Sequence, residues 1–382
     1  MKVALIYRFY IPSFGGIEVL IHTIGRGLIY YGLNPYVITL RYDKSLLYRD
    51  EFNGVTVVRL NAKRFLMNQI DTGIDANKLR NFLKDMDIVH VFSSLPSSIL
   101  MHSLRQCNKM NKICLWQPVF IPGRFNYHRS ILVKVFGKLW DRFYLPRLAR
   151  YPQGIIALSN AEAEFFRRVS KDSIIEVLGE CVEEVKVGSS YVERVLAKYG
   201  LERESYLLSV GRLVWYKGYD LLINAWRSME RKFGWLKLVI VGSDWGYKRI
   251  ILSMVKKYGL RNVVLLKDIP FLELHALYEA SLAVVQLSRF ETFHRVSLEA
   301  WSHRKPIVAL DLGPATEHIS PDAGILVRDN VQEIEEAITR LVTDEKLRHG
   351  MGERGYVIFK SKYNVESYVR RLLNIYGIVG KR

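Results

Sequence analysis

Short apolar runs separated by amphipathic stretches fill the chain from its first residues to about position 327. In the first half the runs lie at 2–7, 36–40, 55–60, 88–92, 113–116 and 154–158. They are almost continuously apolar, which predicts strands buried on both faces, as in parallel sheets. Helical spacing of apolar residues occupies most intervals, notably 16–31, 97–108 and 160–169. A charged helical segment at 192–200 precedes a second series at 206–210, 236–241, 263–266, 282–287, 306–309 and 324–327. The pattern then becomes purely helical, at 331–342, 345–359 and 364–377.

This alternation predicts an α/β chain of two doubly wound, Rossmann-like domains. At 382 residues the chain is too long for one ordinary core. The expected division is 1–185, 186–360, and a terminal helix at 361–382. The start is apolar for only five residues before Arg8, too short for a signal-peptide core. No run approaches the ~18–20 residues that span a bilayer. Three cysteines, Cys107, Cys114 and Cys181, show neither C-x-x-C nor metal spacing, and a reduced, cytoplasmic setting is expected.

Candidate chemistry gathers where strands run into helices. Glu291 and Glu299 are eight apart and flank the junction after the run at 282–287. Glu291 falls in the loop and Glu299 about two turns into the helix. Unpaired N–H groups at such a helix start favour anions, whereas a carboxylate beside them suits sugar hydroxyls. Phosphate and sugar hydroxyls in one crevice describe a nucleotide sugar. The alternative is two glutamates on an ordinary surface helix. The run at 206–210 leads into Gly211-Arg-Leu-Val-Trp-Tyr-Lys-Gly218, placing Arg212 and Lys217 at the carboxyl end of a strand. Two fixed cations there stabilise a departing diphosphate without a metal. Gly15-Gly16-Ile17-Glu18 follows the first strand and lacks the dinucleotide fingerprint.

These loops resemble the E-x7-E, G-R-x4-K-G and G-G-x-E segments of the retaining glycosyltransferases of family 4 (group 1), in the same order. The resemblance covers nearly the whole chain. It implies the GT-B fold: two Rossmann-like domains facing a central cleft, with the C-terminal helix crossing back to the first. It implies a metal-independent transfer of a hexose, with retention, from a UDP-, GDP- or ADP-sugar. Glu291, Arg212 and Lys217 would be catalytic. Donor binding would fall to Gly16, Arg212, Lys217, Gly242, Ile269, Glu291, Thr292, Phe293, His294, Arg295, Val296, Ser297 and Glu299. Glu299 would take the ribose hydroxyls, Glu291 the transferred sugar, and the amides of 294–297 the distal phosphate. The base would rest near 267–270. Gly15, Gln117 and His128 are expected on the acceptor side.

The chain departs from the family in three places. His294 stands where glycine is usual. No histidine occurs in the loop after the fifth run before His128, and Leu178-Gly-Glu-Cys-Val182 replaces the usual P-N-G-V-D-like junction. A GT-B-like protein that binds the nucleotide sugar with weak or no transfer is therefore the alternative. Asp85-Met86-Asp87 has D-x-D spacing but precedes a strand directly and reads as a solvated turn; no metal is expected.

Charge adds one more feature. The net charge is +18, from 56 Lys and Arg against 38 Asp and Glu, and residues 101–150 hold ten basic residues and one acid. Over 129–146 a helical pattern aligns Lys134, Lys138 and Arg142 in one stripe beside Leu132, Val135, Phe136, Leu139, Trp140 and Phe143. A membrane patch of Lys134, Lys138, Trp140 and Arg142 on an anionic surface, with a glycan or lipid-linked acceptor, is one reading. The other is a helix whose apolar face covers its own sheet. Basic charge also admits nucleic acid, but no such motif occurs and no nucleic-acid partner is expected. The location expected is cytoplasmic, peripheral on the inner face of the membrane.

Overall fold

In a computed structural model, residues 1–12, 15–65, 70–121, 123, 125, 131–170 and 172–380 are described. The chain divides into two units, Met1–Cys181 with Val365–Arg382, and Val182–Asn364. The divisions expected after 185 and 360 thus fall four residues earlier and four residues later.

The first unit contains β1 (Lys2–Ile6), β2 (Asn34–Arg41), β3 (Arg49–Phe52), β4 (Val55–Asn61), β5 (Lys63–Phe65), β6 (Ile70–Thr72), β7 (Ile88–Phe92), β8 (Ile113–Gln117), β9 (Gly154–Ala157) and β10 (Ile174–Val177). Eight of these form one sheet in the order β10-β9-β8-β7-β1-β2-β4-β3, and β5 and β6 form a separate hairpin. All pairings in the large sheet are parallel except β3 with β4. Val3, Ala4, Leu5 and Ile6 are all fully buried, as expected when helices cover both faces. Gly16–Tyr30, Val365–Gly380 and β1 share one core layer through Leu20, Ile24, Tyr368 and Leu372.

Polar side chains also tie the terminal helix to this sheet. His90 Nδ1 lies 2.9 Å from Tyr376 Oη, and Gln117 Nε2 donates to Tyr368 Oη at 3.4 Å. Gln117 is wholly buried. The acceptor-side role expected of it is therefore corrected: it is the last residue of β8, with its amide turned into the core. Burial holds the His90 pKa down to about 3, so this imidazole stays neutral.

The second unit contains β11 (Tyr206–Val210), β12 (Lys237–Val241), β13 (Val263–Leu266), β14 (Ala283–Gln286), β15 (Ile307–Leu310) and β16 (Gly324–Val327). They form one parallel sheet in the order β13-β12-β11-β14-β15-β16. The order reverses at β11, which lies between β12 and β14. Doubly wound sheets bind ligands beyond the carboxyl ends of the strands at such a switch point.

Asp85-Met86-Asp87 is a turn: Asp85 closes the helix Ala76–Lys84, and the Asp87 carboxylate accepts from the Lys2 N–H at 2.7 Å. The three cysteines are buried free thiols. No helix among the described residues is long and apolar enough to cross a membrane.

Candidate functional site

The second unit's switch point carries most of the expected donor residues. β11 ends at Val210, and the chain passes through Gly211 and Arg212 into the tight turn Trp215–Lys217. Gly218 follows with φ 71° and opens the helix Tyr219–Lys232. A Cβ on Gly218 would lie 1.9 Å from the Leu287 carbonyl oxygen. The glycine therefore permits both the left-handed backbone and a close approach to the end of β14. Gly242 plays a similar part after β12, since a Cβ there would lie 1.9 Å from Gly211 O. Leu213 donates to Ser243 O at 2.8 Å and accepts from Trp245 N at 3.1 Å, joining the two loops.

Lys217 and Glu291 form an ion pair across this junction, with side chains 11% and 19% exposed. Burial alone would raise the Glu291 pKa, but the Lys217 ammonium and hydrogen bonds from Lys217 and Ser288 hold it below the usual carboxyl value. Glu291 is thus a carboxylate at neutral pH. Arg212 is exposed, donates to Tyr216 Oη at 3.1 Å, and stacks over Trp245 at 4.8 Å from the ring centre.

Glu299 sits on the helix Arg295–Ser302. Its two oxygens accept from Tyr278 Oη at 2.8 Å and from Arg295 Nε at 3.1 Å. Each carboxylate oxygen keeps further acceptor capacity, so the group is oriented without being used up. Tyr278 is fully buried and is a supporting residue that sequence reasoning missed; it looked like one more apolar position of its helix.

His294, the departure from the family pattern, caps the same helix and is buried, with Nε2 3.4 Å from Gln286 O. Burial lowers its pKa, with Glu291 opposing, so the imidazole is neutral. Phe293 stacks on His318 at 4.7 Å, and Ser297 Oγ lies 2.8 Å from His318 Nε2. The amides of Arg295 and Ser297 donate to Phe293 O and His294 O. Thr292 and Val296 are half-buried beside them, as is Ile269 beyond β13, where Lys267 and Asp268 pair at 3.1 Å.

Gly15 and Gly16 belong to the first unit, where Gly15 caps the helix Gly16–Tyr30 in extended backbone. A Cβ on Gly15 would fall 2.6 Å from Glu18 Oε2. His128 lies outside the described residues.

The basic stripe is also in the first unit. Ile131–Leu139 is helical and widens into a π turn at Trp140–Tyr144. Trp140 is buried and donates to Ser94 O at 2.9 Å. Its assignment to a membrane patch is therefore corrected: Gly137 and Trp140, one turn apart, face the unit's own core. Leu132, Val135, Phe136, Leu139 and Phe143 are instead exposed, Leu132 by 81%, together with Lys138 and Arg142.

The glycosyl transferases group 1 profile matches residues 193–357. The glycosyltransferase family 4 profile matches residues 14–182. Between them they take in most of the chain. The chain belongs to the group 1 glycosyltransferases. The O-antigen chain mannosyltransferase C of Escherichia coli is 23% identical to this glycosyltransferase over 98% of each chain. Among solved structures, Anabaena Alr3699/HepE in complex with UDP-glucose superposes with a TM-score of 0.80 at 18% identity, covering 99% of this chain and 100% of that one. WaaG, a glycosyltransferase involved in lipopolysaccharide biosynthesis, gives 0.72 at 18% identity, over 98% and 99%. The fold is GT-B, with two Rossmann-like parallel-sheet units.

Proposed function

We propose that this glycosyltransferase moves a hexose from a nucleoside diphosphate sugar to a glycan or lipid-linked acceptor, with retention and without a metal. The observation that carries this reading is the Lys217–Glu291 pair at the switch point of the second unit, one helix from the oriented carboxylate of Glu299. A cation at the leaving diphosphate and a carboxylate at the sugar match the two charges that change as the glycosidic bond breaks. In this reading the acceptor hydroxyl attacks C1 on the face from which the diphosphate departs. The C1–O bond to phosphate breaks, the new C1–O bond forms, and the hydroxyl proton passes to the leaving phosphate oxygen. Arg212 and Lys217 carry the charge a metal would otherwise balance. In this reading the start of the helix Arg295–Ser302 holds the distal phosphate, the Arg295 and Ser297 amides exchanging Phe293 O and His294 O for phosphate oxygens. The Glu299 carboxylate holds the ribose, and the HepE complex with UDP-glucose supports a uridine donor.

Thermal unfolding in EDTA against UDP, GDP, ADP and their hexoses tests the donor site. One selective ligand at ~100 times its Kd is expected to add about 2.7 kcal/mol, and Arg212→Ala and Glu299→Ala are expected to lose that gain. Stabilisation by none of the panel would overturn the reading.

We place the reaction at an anionic membrane surface on the inner face. The exposed apolar side chains of Ile131–Leu139 with Lys134, Lys138 and Arg142 support this, because such a face suits headgroups and acyl boundary together. Each basic residue near such a surface contributes about 1 kcal/mol. Changing Lys134, Lys138 and Arg142 to Glu is expected to reduce flotation with phosphatidylglycerol liposomes by ~100-fold or more. Unaltered flotation would sink the membrane assignment.

A further inference from the structure

Arg289 was not singled out by its sequence context, yet it grips both segments that meet at the ion pair. Its Nη1 and Nη2 donate to the two Asp220 oxygens, each at 2.8 Å. Nη1 also reaches Trp215 O at 3.3 Å, and Nε reaches Asp329 at 3.3 Å. Its own backbone N–H donates to Tyr216 O at 2.7 Å. Side chain and main chain together therefore fasten Arg289 to the Trp215–Lys217 turn and to the first turn of Tyr219–Lys232. Two residues further along its own chain is Glu291. Lys217 and Glu291 are carried by separate loops, and Arg289 joins those loops within one turn of both.

An ordinary exposed ion pair is worth about 0–1 kcal/mol and carries no positional meaning. This one is different in kind. Arg289 is about one-fifth exposed, at 21%, its fork is bidentate, and two backbone carbonyls join the set. The hydrogen bonds to Asp220 raise its pKa despite partial burial. A planar guanidinium fixes direction as well as distance, which an ammonium cannot.

We propose that Arg289 is a positioning residue that sets the separation of Lys217 and Glu291, and so the charge geometry around the departing diphosphate. The proposal rests on the donor-site reading above. Misplacement of about 1 Å at a reacting centre can cost 10²-fold, whereas the ground-state contacts of Glu299, held by Tyr278 and Arg295 on the helix Arg295–Ser302, lie outside the segments this clamp joins.

The test measures nucleoside diphosphate release from UDP-, GDP- and ADP-hexoses, with nucleoside diphosphate affinity in parallel, for Arg289→Ala, Arg289→Lys and Asp220→Asn. Arg354→Ala, which removes the exposed Arg354–Asp322 pair of the same unit, is the control. Arg289→Ala is expected to lower kcat by ~10²-fold while diphosphate affinity stays within about 10-fold. Arg289→Lys keeps the charge but not the fork and is expected to recover less than half of the lost activity on a logarithmic scale. Asp220→Asn is expected to fall between them, and the control to match wild type. If Arg289→Ala fails to fold, Arg289→Lys and Asp220→Asn carry the test alone. Wild-type turnover with kcat within about two-fold in all three variants overturns the clamp. So does a loss that Arg289→Lys fully repairs. Wild-type protein that binds no diphosphate overturns the donor reading, and the clamp with it.

Discussion

Lys217→Ala is expected to lower transfer by about 10²–10³-fold, the range seen when one preorganised group facing developing charge is removed. The same change leaves Glu291 in a mostly buried site without its cation. Breaking a buried pair from one side costs about 3–5 kcal/mol, and the 19% exposure of Glu291 puts the expected loss at the low end. Activity and stability are separable. In Lys217→Met with Glu291→Gln no charge is stranded, so most of the stability is expected to return while transfer stays lost. Recovery of transfer in the double variant would show that the pair is structural.

The pH dependence follows from the same pair. Glu291 has a folded pKa below its unfolded value of about 4.3. Its contribution to stability is therefore present above that value and lost as pH falls through the lower folded one. In Lys217→Ala burial acts on the carboxyl with its main opposing charge gone. The shift then reverses, and Glu291's share of stability declines as pH rises through the folded value. Denaturant titrations of both proteins from pH 3.5 to 6 are expected to differ in the sign of that share.

Gly218→Ala is expected to destabilise the second unit by ~4 kcal/mol or more, in the range reserved for backbone collision. The methyl would meet the Leu287 carbonyl oxygen at 1.9 Å, and the backbone is already at φ 71°. Neither the carbonyl nor the φ can yield without moving Lys217 or the end of β14. Gly188→Ala is the comparison, because a Cβ there meets nothing within 4 Å and φ is −66°. Chemical denaturation that finds the two variants equal would refute the close-packed junction.

Strands buried on both faces were the most legible part of the chain. β7 and β11 begin and end where their apolar runs do, because a parallel strand covered on both faces leaves no polar face to blur the signal. β3, Arg49–Phe52, was missed because an antiparallel edge strand of R-D-E-F has neither an apolar run nor alternation. β10, Ile174–Val177, was missed because Glu176 interrupts its four residues, whereas β13 is as short and as half-buried but apolar throughout. At the candidate site, the places of Arg212, Lys217 and Glu291 in loops between a buried strand and the next helix, and of Glu299 within the helix that follows, were legible because the buried strands before them are so clear. Arg289, Tyr278 and His318 were not, since their partners are 20 to 70 residues away and only the fold reveals them. Trp140 and Gln117 were misassigned for a related reason: one helix can show apolar residues on both sides, and a polar residue at a strand end can point into the core.

The division of the first unit has a consequence for synthesis on the ribosome. Its core is completed by Val365–Gly380, translated only after all of Val182–Asn364. Until then His90 and Gln117 wait without Tyr376 and Tyr368, and Gly27 and Gly154, which lie against Val369 and Val379, face an empty groove. At ~5–20 residues per second, that interval lasts roughly 10–40 s. The nascent first unit holds all the strands of its sheet but must wait for the helix that completes its core, while the second unit, whose segments are contiguous, can close around its switch point first.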